Sequence, residues 1–310
     1  MTNNSGLLSL PDDIFCEVFN LLDAKALRSC SLTCKALSYL TKPILHRTLH
    51  LICPPAVWLR PKVPGRWHEL EGLPILGERG LLQHTRHISI TLVHNPLFPH
   101  DFDPHIRHLR TLTNLRSLKA RSLDTPSFIP KMEEYFGTFL RSLQSLELAF
   151  PRGDTEQIFC FICQFWNLRN LKIRSFAGRA NSVHNDSPRF DTETSPPLDG
   201  TLDLELGMDV GPGSGSTDAQ LILKNLVTLP SGLKFRTLKL SKCTGSNLQP
   251  LVDACAPALE CMEFTGQWSG TPFHCRGNHP KLIGFGYQAL PPVLRSVSSD
   301  TPRSDDLKST

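Results

Sequence analysis

No apolar run in this chain is long enough to cross a bilayer: the greasiest stretch, 158–166 (IFCFICQFW), is far short of the roughly 20 residues that a spanning helix needs. Charge of one sign is missing too. Lys and Arg number 33 against 29 Asp and Glu, a net charge of +4, so composition supplies no broad field for a polyanion. Cysteine is thin, ten in 310 residues, which excludes a disulfide scaffold and predicts reduced thiols. The opening MTNNSGLLSLPDD has no basic segment ahead of an apolar one and does not read as a secretory signal. No G-x-S-x-G, Walker loop, G-x-G-x-x-G or H-E-x-x-H occurs, so a catalytic function has no visible carrier. These absences predict a soluble, non-catalytic protein of the cytoplasm or nucleus, with no cofactor, no metal, no nucleic acid and no membrane among its partners.

Leucine is what the chain has in excess, 49 residues, and it falls in two patterns. Over 7–51 the pattern is helical. Pro11 suits a first helical turn, Asp12 and Asp13 suit the positive end of the helix dipole, and Ile14, Val18, Leu21 and Leu22 share one face. Asp23 can cap a second helix carrying Leu27, Cys30 or Ser31 and Cys34; Leu37 and Leu40 continue into a third apolar face that Pro43 should interrupt. Three short helices make a marginal core and leave apolar surface for a partner.

These residues resemble an F-box. The resemblance rests on Leu10-Pro11, Ile14, Val18, Leu22, Leu27, Cys34-Lys35 and Leu45-His46-Arg47-Thr48-Leu49, with Leu37 where the family most often has tryptophan. It implies that Leu10, Pro11, Ile14, Val18, Leu22, Leu27, Cys34, Lys35, Leu37 and Leu40 bind the Skp-type linker, and through it the cullin scaffold, of a cullin-RING ubiquitin ligase.

Residues 52–80 carry a cluster of prolines and no sustained period, which predicts a connector between two modules, pinned by Trp58 and Trp67. Beyond it a block recurs: Leu112-x-x-Leu115-x-x-Leu118-x-Ala120, Leu140-x-x-Leu143-x-x-Leu146-x-Leu148 and Phe165-x-x-Leu168-x-x-Leu171-x-Ile173, with weaker copies at Ile88-x-Ile90, Leu202-x-Leu204, Phe235-x-x-Leu238-x-Leu240 and Leu259-x-x-Met262-x-Phe264. Equivalent residues 88, 118, 146, 171, 202, 238 and 262 are separated by 30, 28, 25, 31, 36 and 24 positions. The copies resemble leucine-rich repeats, each strand needing its neighbours to complete a core. The Asn or Cys that the family places after each strand is absent except at Cys243; Leu123, Pro151, Phe176 and Gln267 stand there instead. The turns must therefore close differently.

The expected fold is α/β: a three-helix F-box at 7–51, then an irregular leucine-rich-repeat solenoid over 81–290 with a parallel sheet on its concave side. Loops are expected at 178–200 and 207–218, with disordered ends at 1–6 and 291–310. Segments 196–204 and 226–240 also resemble F-box proteins of basidiomycete fungi, a resemblance that supplies no substrate. Residues between paired apolar positions point out of the core, which puts Lys119, Glu147, Lys172, Asp203, Lys239 and Glu263 in an alternating ladder, either a substrate-binding floor or self-neutralising glue.

Six histidines crowd into 84–108 (His84, His87, His94, His100, His105, His108) without the Cys or carboxylate set of a zinc site. Cys160 and Cys163 sit in an apolar helical stretch that favours burial. Together the two modules read as the substrate-recognition adaptor of an SCF-type ligase, holding an unknown protein. A non-catalytic scaffold outside any ligase and, more remotely, a His-rich metal protein are the alternatives.

Overall fold

The computed structural model describes residues 10–53, 67–69, 72–92, 107–121, 141–149, 155–174, 197–206, 223–229, 232–241, 248–265 and 284–287. Three helices open it: α1 (Asp12–Asn20), α2 (Ala24–Thr33) and α3 (Lys35–Leu45). The Asp23 carboxylate accepts from the Ala26 amide at 2.7 Å and starts α2. Pro43 does not stop α3, which carries it inside and runs two residues further; the cost of the missing N–H is local, and the chain leaves the helix at His46, whose amide donates to the Lys42 carbonyl at 3.0 Å.

After α3, ten parallel strands among the described residues form one sheet, in the order β10-β9-β8-β7-β6-β5-β4-β3-β1-β2. The strands are β1 (Thr48–Cys53), β2 (Trp67–Glu69), β3 (His87–Leu92), β4 (Ser117–Arg121), β5 (Ser145–Ala149), β6 (Asn170–Arg174), β7 (Leu198–Glu205), β8 (Leu233–Ser241), β9 (Cys261–Thr265) and β10 (Gly284–Tyr287). β3 to β9 are the seven strands that the repeat pattern predicts. The other three are additions. β1 begins three residues after α3 and pairs with β3 along its whole length, so no spacer separates the helical head from the sheet. The stretch expected as a connector, 52–80, instead contains β2 and the helix α4 (Leu73–Glu78). Leu73 and Leu76 bury themselves in the sheet's core and so anchor α4 there. The expected loop 178–200 likewise yields its last residues to β7. Residues 207–218, 1–6 and 291–310 lie outside the described residues, as do Trp58, Leu123, Pro151, Phe176, Cys243 and Gln267.

Alternation dictates which side of the sheet is dry. Leu49, Ile88, Leu118, Leu146, Leu171, Leu202, Leu238 and Met262 stand opposite one another from strand to strand, and all are buried. A second row two residues on runs from Leu51 to Phe264. Burying each such side chain stabilises by roughly 1.5–3 kcal/mol. Parallel strands need long crossovers, and these cover the apolar side. Helix α5 (Thr155–Cys163) buries Ile158, Phe159, Phe161 and Ile162; helix α6 (Gln249–Cys255) buries Leu251, Val252 and Cys255. A helical segment at 223–227 adds Leu223 and Leu226.

The head has its own core, Phe15, Phe19, Leu27 and Leu37, separate from the sheet's. Between the two lies a cavity of about 410 Å³ lined by residues of α2, α3, β1 and α4. The buried Thr85 hydroxyl donates across this seam to the His46 carbonyl at 3.1 Å.

Two devices close the turns ahead of the strands. Carbonyls of Arg47, Arg86, Arg116 and Gln144 each accept two amides from the next strand's entry, at 2.8–3.0 Å. Side chains add a second stitch: Asn114 donates to the Gln83 carbonyl at 3.1 Å, Ser142 to Leu115 at 3.0 Å, and Asn167 to Arg141. At β7 the pattern bends. Gly200 (φ 89) starts a register shift, its amide donates to the Asp199 carboxylate at 2.6 Å, and only Thr201 reaches the Arg169 carbonyl.

Candidate functional site

The helical head buries one face of α1 and leaves the other bare. Phe15 and Phe19, with ring centroids 5.5 Å apart, fill the head's core, so the residues one step away point outward. Leu10, Ile14 and Val18 are 41, 40 and 45 % exposed, large values for apolar side chains on neighbouring turns. Pro11 and Lys35 are also exposed, while Leu22, Cys34 and Leu40 are half-buried against the core. Leu27 and Leu37 differ from the expectation that they meet a partner: they are only 4 and 8 % exposed, because a head this small needs every central leucine for its own core. Leu21, Leu32 and Tyr39, by contrast, are exposed; Leu21 shares the α1 pattern, whereas Leu32 and Tyr39 carry no motif signal.

On the polar side of the sheet, Lys119, Glu147, Lys172, Asp203, Lys239 and Glu263 occupy one register row across six adjacent strands. They join as pairs rather than as one continuous chain of bridges. Lys119 meets Glu147 at 3.0 Å, Lys172 meets Asp203, and Lys239 meets Glu263 at 2.8 Å. That last hydrogen bond is the main reason the Lys239 ammonium has a raised pKa. Arg174, which the ladder did not include, reaches Glu147 at 3.1 Å and Glu205 at 3.7 Å. The contact with Glu147 is an ion pair without hydrogen-bond alignment. Pairs this open contribute roughly 0.2–1 kcal/mol each, and their charges cancel.

A different row lies at the edge where the strands begin. Arg47, Arg86, Arg116 and Arg169 stand one residue before β1, β3, β4 and β6, all exposed. Their spacing is visible in the text as Arg-x-apolar: Arg47-Thr48-Leu49, Arg86-His87-Ile88, Arg116-Ser117-Leu118, Arg169-Asn170-Leu171 and Arg236-Thr237-Leu238. A reading confined to the residue between the strand leucines passes over it. Burial first, then the charges of Arg47, Arg86 and Arg116, lower the pKa of His87 at the centre of this edge. His50 is lowered by burial and by Lys119.

Of the histidine-rich segment, His84, His87 and His108 are described, while His94, His100 and His105 lie outside the described residues. Among the described residues no group of three His, Cys, Asp or Glu gathers as metal ligands. No described helix is long and apolar enough to cross a membrane. Cys163 and Cys255 are buried, and burial pushes the Cys255 thiol up to about 12, so Cys255 packs as a small apolar group.

No curated protein matches the chain. The F-box-like family matches residues 7–52, a span that ends inside β1 and so contains both the bare face of α1 and the entry into the sheet. F-box proteins are in general non-catalytic adaptors whose F-box binds Skp-type linkers. Residues 7–52 are thus an F-box-like domain, and they suggest a general role in ubiquitin-ligase substrate recognition.

Proposed function

We propose that this protein is the substrate-recognition adaptor of an SCF-type ubiquitin ligase. The observation that carries the reading is the line of exposed apolar side chains, Leu10, Ile14 and Val18, on an F-box-like unit whose core is already complete without them. That line is the docking face for the linker, and the cullin follows through the linker. The recurrent strands form a leucine-rich-repeat-type solenoid whose polar side holds a protein substrate. Catalysis is by proximity: a lysine of the bound protein is raised in effective concentration near the charged ubiquitin carrier, and no residue of this chain touches the thioester. The resemblance of 196–204 and 226–240 to basidiomycete F-box proteins agrees with the same reading.

Tagged full chain mixed with purified Skp-type linker, cullin and RING subunit tests it. Retention of all three supports the adaptor. Retention of the linker without the cullin favours a scaffold outside the ligase, and failure to retain the linker overturns both.

A further inference from the structure

The arginine row at the strand entries has no internal explanation. Arg47, Arg86 and Arg116 lie on three consecutive rungs, each stacked on the last by a pair of backbone hydrogen bonds, so their Cα atoms follow the strand spacing of about 4.8 Å. Gln144 takes the fourth rung and Arg169 the fifth. Like charges on neighbouring strands repel, yet none of the four arginines has a carboxylate partner among the described residues. No Asp or Glu occurs at the rim positions 46–48, 84–87, 113–117, 141–145 or 166–170. Arg141 joins the edge, its guanidinium 5.4 Å from the ring centre of the exposed Trp166.

The contrast along the same edge is informative. Arg236, in the equivalent place before the central pair of β8, is engaged by Asp199 at 3.7 Å and Glu260 at 3.9 Å. The fold thus neutralises this position at one end of the sheet and leaves it bare at the other. The bare end adjoins the helical head, where the seam cavity adds Arg28 and Lys42 and has no carboxylate in its lining. Beside the row the polar face of the sheet is already paired, so it offers no competing anions and no extension for a long polyanion.

We propose that the edge formed by Arg47, Arg86, Arg116 and Arg169 is a binding site for an acidic polypeptide segment, its carboxylates seated on the guanidinium forks. Guanidinium is matched to planar carboxylates in a way that an ammonium is not. The row spans about 19 Å at four strand spacings, the length of roughly six extended residues. A short, straight row of this kind suits an extended peptide, whereas nucleic-acid affinity grows with many phosphate contacts over a broad basic surface. This deepens the adaptor reading by naming the chemical class of the partner, and it rests on that reading only for the role of substrate.

The test uses the full chain and a fluorescein-labelled oligoglutamate peptide, with oligoglutamine, oligothymidylate and phosphatidylserine vesicles as comparisons. Oligoglutamate should bind, oligoglutamine should not, and binding should weaken as salt rises. Combined Arg47→Gln, Arg86→Gln and Arg116→Gln should weaken it about tenfold or more, while Arg236→Gln leaves it unchanged. Because the wild-type row repels itself, the triple variant should melt no earlier than the parent, which a merely structural row would not allow. If it does melt early, Arg86→Gln alone, the middle rung, supplies the affinity comparison. Absence of oligoglutamate binding, equal binding by the arginine variants, or preference for oligothymidylate or vesicles overturns the proposal. Linker capture is measured on the same preparations, so peptide binding without linker capture keeps the site and removes the adaptor.

Discussion

Replacing Leu10, Ile14 and Val18 together by alanine isolates the exposed line from the core beneath it. Full burial of such a side chain is worth roughly 1.5–3 kcal/mol. With about two fifths of each still exposed in the free chain, a covering partner gains roughly 0.6–1.2 kcal/mol per residue. Three residues give about 2–4 kcal/mol, and because alanine keeps its Cβ the lower end applies, about 2 kcal/mol or thirtyfold in Kd. Stability should fall by less than in a core truncation, since none of the three belongs to the head's core and only the covered part of each side chain is lost. Phe15→Ala is the counter-experiment: it empties a 2 % exposed site at a cost of about 3–5 kcal/mol, and should unfold the head and abolish binding for a different reason. Calorimetric titration of the full chain with a purified Skp-type linker, alongside thermal melts, separates the two. A triple alanine variant that melts like the parent and binds within about threefold of it would refute the reasoning, because the exposed line would then contribute nothing.

Three further outcomes are expected. Gly200→Ala should cost at least about 2 kcal/mol in denaturant unfolding, since its φ of 89 disfavours a side chain and a Cβ there meets the Arg169 carbonyl. Asn114→Ala and Asn167→Ala should each cost about 0.5–1.5 kcal/mol by removing a stitch between successive strand entries; equal stability would mean that backbone pairing alone closes these turns. Burial holds the folded-state pKa values of His87 and His50 below the ordinary histidine value of 6.5, so the neutral forms are favoured. Their contribution is fully present above that value and is lost as pH falls: the melting midpoint should decline on acidification, and less steeply in Arg47→Gln/Arg86→Gln, where His87 loses two of the charges that depress it.

Much of the fold is legible in the sequence. Strands β3 to β9 follow from L-x-L alternation at a repeating interval, because a half-buried strand leaves a period of two whatever its neighbours. Asp23 as a helix cap is equally local. β1, β2 and α4 escape the sequence pattern, each for its own reason. β1 reads TLHLIC, and its alternation is hidden inside the closing part of the F-box pattern; β2 has three residues, too few for a period; and the prolines around α4 mask a helix that exists because Leu73 and Leu76 find the sheet's core. In the head, Ile14 and Val18 read as a buried stripe as readily as Phe15 and Phe19 do, since helical spacing places both pairs on coherent faces. Size decided between them: the two phenylalanines fill the small space over Leu27 and Leu37.

The charged rows divide along the same line. Which residues leave the sheet on its polar side follows from alternation alone, and Lys119, Glu147, Lys172, Asp203, Lys239 and Glu263 share one register row. Which of them bond was a matter of side-chain reach, and Arg174 entered only once strands were in register. The Arg-x-apolar recurrence stands in the sequence, yet only stacking turns Arg47, Arg86 and Arg116, which are 39 and 30 residues apart, into neighbours about 4.8 Å apart. What the sequence by itself determined is what depends on nearest neighbours along the chain: helix, strand, repeat interval and the F-box-like pattern. What the tertiary structure alone decided is which apolar face stays bare and which cations stand together unpaired, since both depend on distances between residues far apart in sequence.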